Sequence, residues 1–136
     1  MANRTRHLLL AALITSASAA GASSRLSPIA APADGKARHV GQSFLFDYGD
    51  LVIRVRYLSG SRLEWEQVKG PQAGLKGEEQ YDCSPVRDDV LFFWWQEKDS
   101  SVVTQVVDFG RALVHTTWMS PDKKLAGFQG KVRPLE

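Results

Sequence analysis

From residue 42 onward, apolar and polar residues alternate with a period of two, the spacing of a strand that buries one face and shows the other to water. In residues 51–57 (LVIRVRY), Leu51, Ile53, Val55 and Tyr57 alternate with Arg54 and Arg56. Residues 42–48 (QSFLFDY) set Phe44, Phe46 and Tyr48 on one face, and Arg62–Lys69 sets Leu63 and Trp65 against Glu64 and Glu66. Gly49-Asp50 and Ser59-Gly60-Ser61 supply the turns between these three strands. The strongest signal follows at 90–97 (VLFFWWQE) and 102–109 (VVTQVVDF). Both arms are β-branched and aromatic, and the polar Lys98-Asp99-Ser100-Ser101 between them predicts a long hairpin.

A short strand is expected around 79–82, another at 112–118 after a Gly110-Arg111 turn, and a closing strand near 127–132. No segment has a helical period of useful length. Six to eight short antiparallel strands with regular turns predict an all-β sandwich or a small closed up-and-down barrel. The barrel is preferred, because Leu91-Phe92-Phe93-Trp94-Trp95 on an open sheet edge would template aggregation.

The first residues do not fit this pattern. Arg4, Arg6 and His7 precede an apolar run at 8–14 and small residues at 16–22, which predicts a cleavable signal peptide over 1–20. A membrane span needs about 20 consecutive apolar residues, more than this run offers. Residues 21–39, rich in Ala, Ser and Pro, predict a flexible tether, and 40–136 the barrel domain. A periplasmic or secreted protein follows, with no membrane association after cleavage. Residues 1–20 hold Arg4 and Arg6 and no acid, so the 17 basic residues fall to 15, equal to the 15 acidic ones. That balance gives no reason to expect nucleic acid as a partner. Cys83 is the only cysteine, so no disulfide can form within the chain, and a buried thiol is the plain reading.

Candidate chemistry depends on which strand faces point inward. Pairing Glu97 with Val102 and Phe109 with Ala112 places Phe93, Trp95, Glu97, Thr104, Val106, Asp108, His115 and Thr117 together. The opposite face then carries Phe92, Trp94, Gln96, Val103, Gln105, Val107, Val114 and Trp118. Taking the first face as the interior makes an apolar cup with a few polar groups, the usual makeup of a small-molecule site. Its expected polar groups are Glu97, Thr104 and His115, with Phe44, Phe46, Trp65 and Trp95 as walls. Each has a plainer reading beside it. Glu97 next to a turn is equally a solvated strand end, His115 a satisfied barrel histidine, and the aromatic run simply core. His115 is the sole histidine well inside the barrel segment, so no metal cluster is expected. Residues 70–77 (GPQAGLKG) lack the spacing and following helix of a phosphate loop.

Phe44-Leu45-Phe46-Asp47-Tyr48-Gly49, Trp95-Gln96-Glu97, residues 103–109 and Gly130-Lys131-Val132 together resemble the MoaF-like group of lipocalin-related barrels, and more distantly bacterial phenolic acid decarboxylase. The resemblance spans roughly 40–134. It implies a closed antiparallel barrel with an interior pocket, often paired as a dimer. In the decarboxylases two tyrosines on the first strand and an arginine after the third hold the substrate carboxylate, and a glutamate at the W-x-E strand end works on the phenol. Here the tyrosine positions correspond to Phe44 and Phe46, the arginine position falls near Leu75, and only the glutamate is kept, as Glu97. The loss of two hydroxyls and a guanidinium removes the grip on a carboxylate, so that reaction is not expected.

The sequence therefore predicts an exported, non-catalytic barrel that binds a small aromatic or apolar molecule and needs no cofactor. Two other readings stay open. One is a barrel enzyme with Glu97 as general acid or base assisted by His115. The other is a homodimeric interaction module that pairs through Trp94 and Trp118 on the outer face.

Overall fold

The structure, a computed structural model, describes residues 38–136. The expected signal peptide and most of the expected tether, residues 1–37, lie outside the described residues. The rest is eight strands: β1 (Ser43–Asp47), β2 (Val52–Tyr57), β3 (Arg62–Lys69), β4 (Lys76–Arg87), β5 (Val90–Gln96), β6 (Val102–Asp108), β7 (Leu113–Met119) and β8 (Leu125–Leu135). Each pairs antiparallel with the next, and β8 returns to pair with β1, giving a closed all-β barrel. No helix occurs among the described residues. Closure removes the edges that such apolar strands would otherwise expose.

Closure brings the backbone of β8 close to the end of β1, and Gly130 permits it. A Cβ at that position would lie 2.3 Å from the Asp47 carbonyl oxygen and 2.8 Å from the Tyr48 ring. The longest strand, β4, extends well beyond the short strand expected at 79–82. Its inward positions include Gly77, Glu79 and Cys83, so apolar alternation does not mark it in the sequence.

The core is a set of aromatic rings and β-branched side chains around Tyr57, Phe46, Phe93, Leu63, Val55, Val107 and Val114, each almost fully buried. The interior of an eight-stranded barrel is about wide enough for side chains to fill, and this one is filled most densely at one end. There His39, expected within the tether, sits buried at 1% exposure. Its ring meets Tyr57 at 4.7 Å and Phe93 at 5.1 Å, both edge-on, while Tyr57 stacks on Phe93 at 5.2 Å. The backbone fixes the segment in place: Gly41 N–H donates to the Tyr57 carbonyl, and Tyr57 N–H to that of Gln42. The barrel unit thus begins before residue 40, with His39 as a plug.

The register between β5 and β6 differs from the expectation by one residue. Gln96, not Glu97, faces Val102, and Glu97 N–H bonds to the Ser101 carbonyl at 2.8 Å. The connection is three residues, 98–100, with Ser100 in the left-handed region at φ 74° and Asp99 Oδ1 accepting from Ser101 N–H. This is the three-residue hairpin whose last residue makes a bulge. A four-residue turn had been expected, and one residue exchanges the faces of everything that follows. The register between β6 and β7, Asp108 against Leu113, is the expected one.

Candidate functional site

With that register, the interior receives Phe93 and Trp95 from β5, Val103, Gln105 and Val107 from β6, and Val114, Thr116 and Trp118 from β7. Thr104 and His115 therefore lie on the outer face, Thr104 half-buried and His115 exposed. Neither can line an interior cup, and His115 cannot assist Glu97. Trp118 moves the opposite way: it packs against the core, so of the two tryptophans expected outside only Trp94 remains there. Trp94 tilts against Phe92 at 5.1 Å on the outer surface.

Phe44 and Phe46 do face inward, but as core. Phe46 is fully buried, and Phe44 packs on Tyr57 and Phe109 near the plugged end. Trp65, Trp95 and Glu97 are gathered toward the opposite end, the one that carries the loops at 48–51, 70–75, 97–101 and 120–124. Their inward neighbours Tyr48, Ile53, Trp118 and Phe128 are half-buried there, so this end presents aromatic rings to its opening.

Glu79, which the sequence reading missed, completes this end. Tyr81 pairs with Trp95, and one inward step along each strand sets Glu79 across from Glu97. Glu79 is buried, and its Oε1 accepts from the Trp65 indole N–H at 3.4 Å. The Trp65 ring lies over Gly77, its partner on β4; a Cβ there would come within 2.9 Å of the indole. Glycine thus lets the ring lie flat along the wall beside the carboxyl pair.

Burial pushes the Glu97 carboxyl above its ordinary range, and the negative charges of Asp99 and Glu79 push it the same way. The Trp95 and Trp118 indole N–H groups pull weakly in the other direction. Trp95 Nε1 nevertheless closes no hydrogen bond and is buried without a partner.

Below this pair, Gln105 Nε2 donates to the Tyr48 hydroxyl at 3.3 Å, and that hydroxyl shares a 2.6 Å hydrogen bond with Thr116 Oγ1. Burial raises Tyr48 to about 12, so it stays a neutral phenol. Gln105 Oε1 has no partner although the residue is only 5% exposed. Buried polar atoms are nearly always paired, so unpaired ones facing a barrel interior mark where a bound molecule or water would complete the structure. The sequence signal for Gln105 and Thr116 existed: both sit in the face passed over because of the one-residue register difference.

Two other features are not part of this end. Cys83, half-buried opposite Phe93, has its thiol pushed up by burial and by Asp82, which keeps it protonated and unreactive. An open groove of about 870 Å³ runs over the outer sheet past Ser43, Arg54, Arg56, Glu64 and Glu78 and shares with that end only Trp65 and Gly77. Its walls include the Arg54–Glu66 ion pair and Glu78, which pairs with Arg62 outside the groove, as expected for cross-strand charges on a solvated face. Among the described residues no group of three or more His, Cys, Asp or Glu side chains is placed to hold a metal ion.

Comparison with known proteins agrees with this architecture. A crystal structure from Burkholderia vietnamiensis, provisionally described as a beta-lactamase, matches with a TM-score of 0.70 at 26% identity, covering 72% of this chain and 96% of that one. A search among curated proteins matches none to this chain. The sequence profile of the MoaF-like family matches residues 40–133, from the segment beside the His39 plug to the end of the closing strand, and the chain therefore belongs to the MoaF-like family.

Proposed function

We propose that this protein is an exported barrel that binds a small, largely aromatic molecule at its open end and does not transform it. The observation that carries the reading is the convergence there of the Trp65, Trp95 and Trp118 indoles on the facing Glu79 and Glu97, above the unpaired Gln105 Oε1. Half-buried aromatic walls with a few convergent polar atoms are the ordinary composition of a small-molecule site. Export rests on the basic, apolar and small-residue order of residues 1–20.

Titrating the protein with aromatic acids, amines and pterins while following tryptophan fluorescence tests the reading. Saturable quenching is expected, weakened in Trp95→Ala and Trp118→Ala and retained in Trp94→Ser, whose ring lies outside. No response to any of the compounds would sink it.

A second reading has its own observation in the raised Glu97 carboxyl, which suits a general acid. It would make this barrel an enzyme, a role to which the description of the Burkholderia neighbour also points. Turnover of a β-lactam or a hydroxycinnamate that disappears in Glu97→Gln would establish it; turnover unchanged in that variant would remove Glu97 from the role.

A further inference from the structure

The open end contains a specific charge problem. Glu79 and Glu97 face each other across β4 and the end of β5, and Asp99 on the adjoining loop adds a third charge of the same sign. The exposed Asp99 is already committed to the Ser101 N–H, so it cannot turn inward without opening the hairpin. The inward neighbours of the pair from β3, β5 and β7 are the indoles of Trp65, Trp95 and Trp118. Indole N–H groups donate hydrogen bonds but carry no countercharge. Like charges in a partly desolvated site disfavour the ionised Glu97, and a positive ligand would relieve that repulsion.

Indole faces are also the best aromatic surfaces for a cation. A hard divalent metal would require six or more oxygen ligands, which two carboxyls among indoles do not approach. The second, independent sign of a ligand lies below the pair. Gln105 Oε1 is an acceptor in a residue 5% exposed, and it has no donor. An ammonium at the carboxyls and a ring hydroxyl that donates to Gln105 Oε1 would satisfy both groups.

Resting on the binding reading above, we propose that the ligand class is an arylalkylamine, bound with its ammonium between Glu79 and Glu97 and its ring against Trp65, Trp95 and Trp118. Ammonium binding holds Glu97 ionised, and the free Trp95 N–H is then placed to donate to its second oxygen. Affinity for the amine therefore falls as pH drops through the raised Glu97 range, because protons compete for the same carboxyl.

The test uses four probes on one scaffold, titrated by calorimetry into the full chain: tyramine, 2-phenylethylamine, tyrosol (the neutral alcohol) and 4-hydroxyphenylacetate. Tyramine is expected to bind at least about tenfold tighter than tyrosol, with the carboxylate weakest. Glu97→Gln and Glu79→Gln should each weaken tyramine by about tenfold, a larger factor than they cost tyrosol, with circular dichroism reporting the folding of the variants. Loss of the ring hydroxyl in 2-phenylethylamine should cost a smaller factor, which vanishes in Gln105→Leu. If tyrosol or the carboxylate binds as tightly as tyramine, the cation assignment is wrong and the pocket stands. If none of the four binds or quenches fluorescence, the pocket itself is wrong.

Discussion

At one end of the barrel, His39, Tyr57, Tyr81 and Phe93 form one interlocked group of rings; at the other, Trp65, Trp95 and Trp118 surround two carboxyls and stay partly open. Both ends are aromatic, and both hold polar atoms. The difference lies in how tightly the rings enclose those atoms. At the plugged end the Tyr81 hydroxyl donates to the Ser59 carbonyl at 2.7 Å, so it must accept from His39 Nε2 at 2.9 Å. That fixes the tautomer, with the proton on Nε2 and a bare Nδ1 buried without a partner. At the open end the unanswered atoms sit beside a carboxyl pair and below half-buried rings. At the plugged end the chain's own rings enclose the unpartnered His39 Nδ1 and Tyr57 hydroxyl, whereas at the other end the unpartnered Trp95 Nε1 and Gln105 Oε1 lie beside rings that stay half-buried.

The largest test of this contrast is truncation at each end. Phe93→Ala removes a fully buried ring that touches His39, Tyr57 and Tyr81, and should cost about 3–5 kcal/mol in urea unfolding. Trp118→Ala removes a larger but half-buried ring, and should cost about half as much while weakening ligand-induced quenching. Equal losses at the two ends would mean that both are simply core.

Next in size is a pH effect confined to the plug. Burial holds His39 at about 4, against 6.5 for a free histidine. Between those values the unfolded chain binds a proton that the folded one refuses. Stability from this group is therefore complete above 6.5 and is lost as pH falls toward 4, by on the order of 1–3 kcal/mol. Glu97, raised in the folded state, works in the opposite sense over its own range, because there the folded chain holds the extra proton. Denaturation of wild type and His39→Gln between pH 7.5 and 4.5 separates the two: the acid-side loss should shrink in the variant. An unchanged slope would show that His39 is not buried neutral.

The contrast between ends was only partly legible in the sequence, and the reasons are specific. Period-two alternation marks β1, β2, β3 and the β5–β6 arms, because each presents an apolar face to one core. It does not mark β4, where a glycine, a glutamate and a cysteine occupy inward positions because Trp65 covers the first and donates a hydrogen bond to the second. His39 reads as linker since its environment comes from β2, β4 and β5, none of them near in the sequence. The site assignment turned on Ser100. A serine in the left-handed region lacks the signal a glycine would give, so the sequence pattern does not show the shorter hairpin and places Gln105 and Trp118 outside and Thr104 and His115 inside. The same closure recurs at 120–124 with Lys123 at φ 64°, again without glycine.

A smaller effect sharpens the open end. Gly77→Ala places a methyl within 2.9 Å of the Trp65 indole, and the ring must lift from the wall or the strand must shift. A stability loss of about 1–2 kcal/mol is expected. The informative readout is the Trp65–Glu79 hydrogen bond, since lifting the indole breaks it and changes both the emission maximum and any amine affinity. A variant with wild-type emission and binding would show that Trp65 does not form part of the cup.

The smallest expected effect belongs to the outer face, and it separates the groove there from the open end. Arg54 and Glu66 pair across β2 and β3 with the arginine half-exposed, so solvent screens most of their attraction. Arg54→Ala should change stability by less than about 1 kcal/mol, with much of that difference lost in high salt. It should leave the fluorescence titration untouched, because Arg54 points away from the interior, on the face opposite Val55 and Ile53. On the groove wall Arg54 faces Glu66 and Glu66 faces Lys76 across strands, which answers these three charges within the sheet. Among the described residues no cation is so placed beside Glu97 at the open end. A ligand response that disappears in Arg54→Ala would move the binding site to the groove and leave Glu79 and Glu97 without a role.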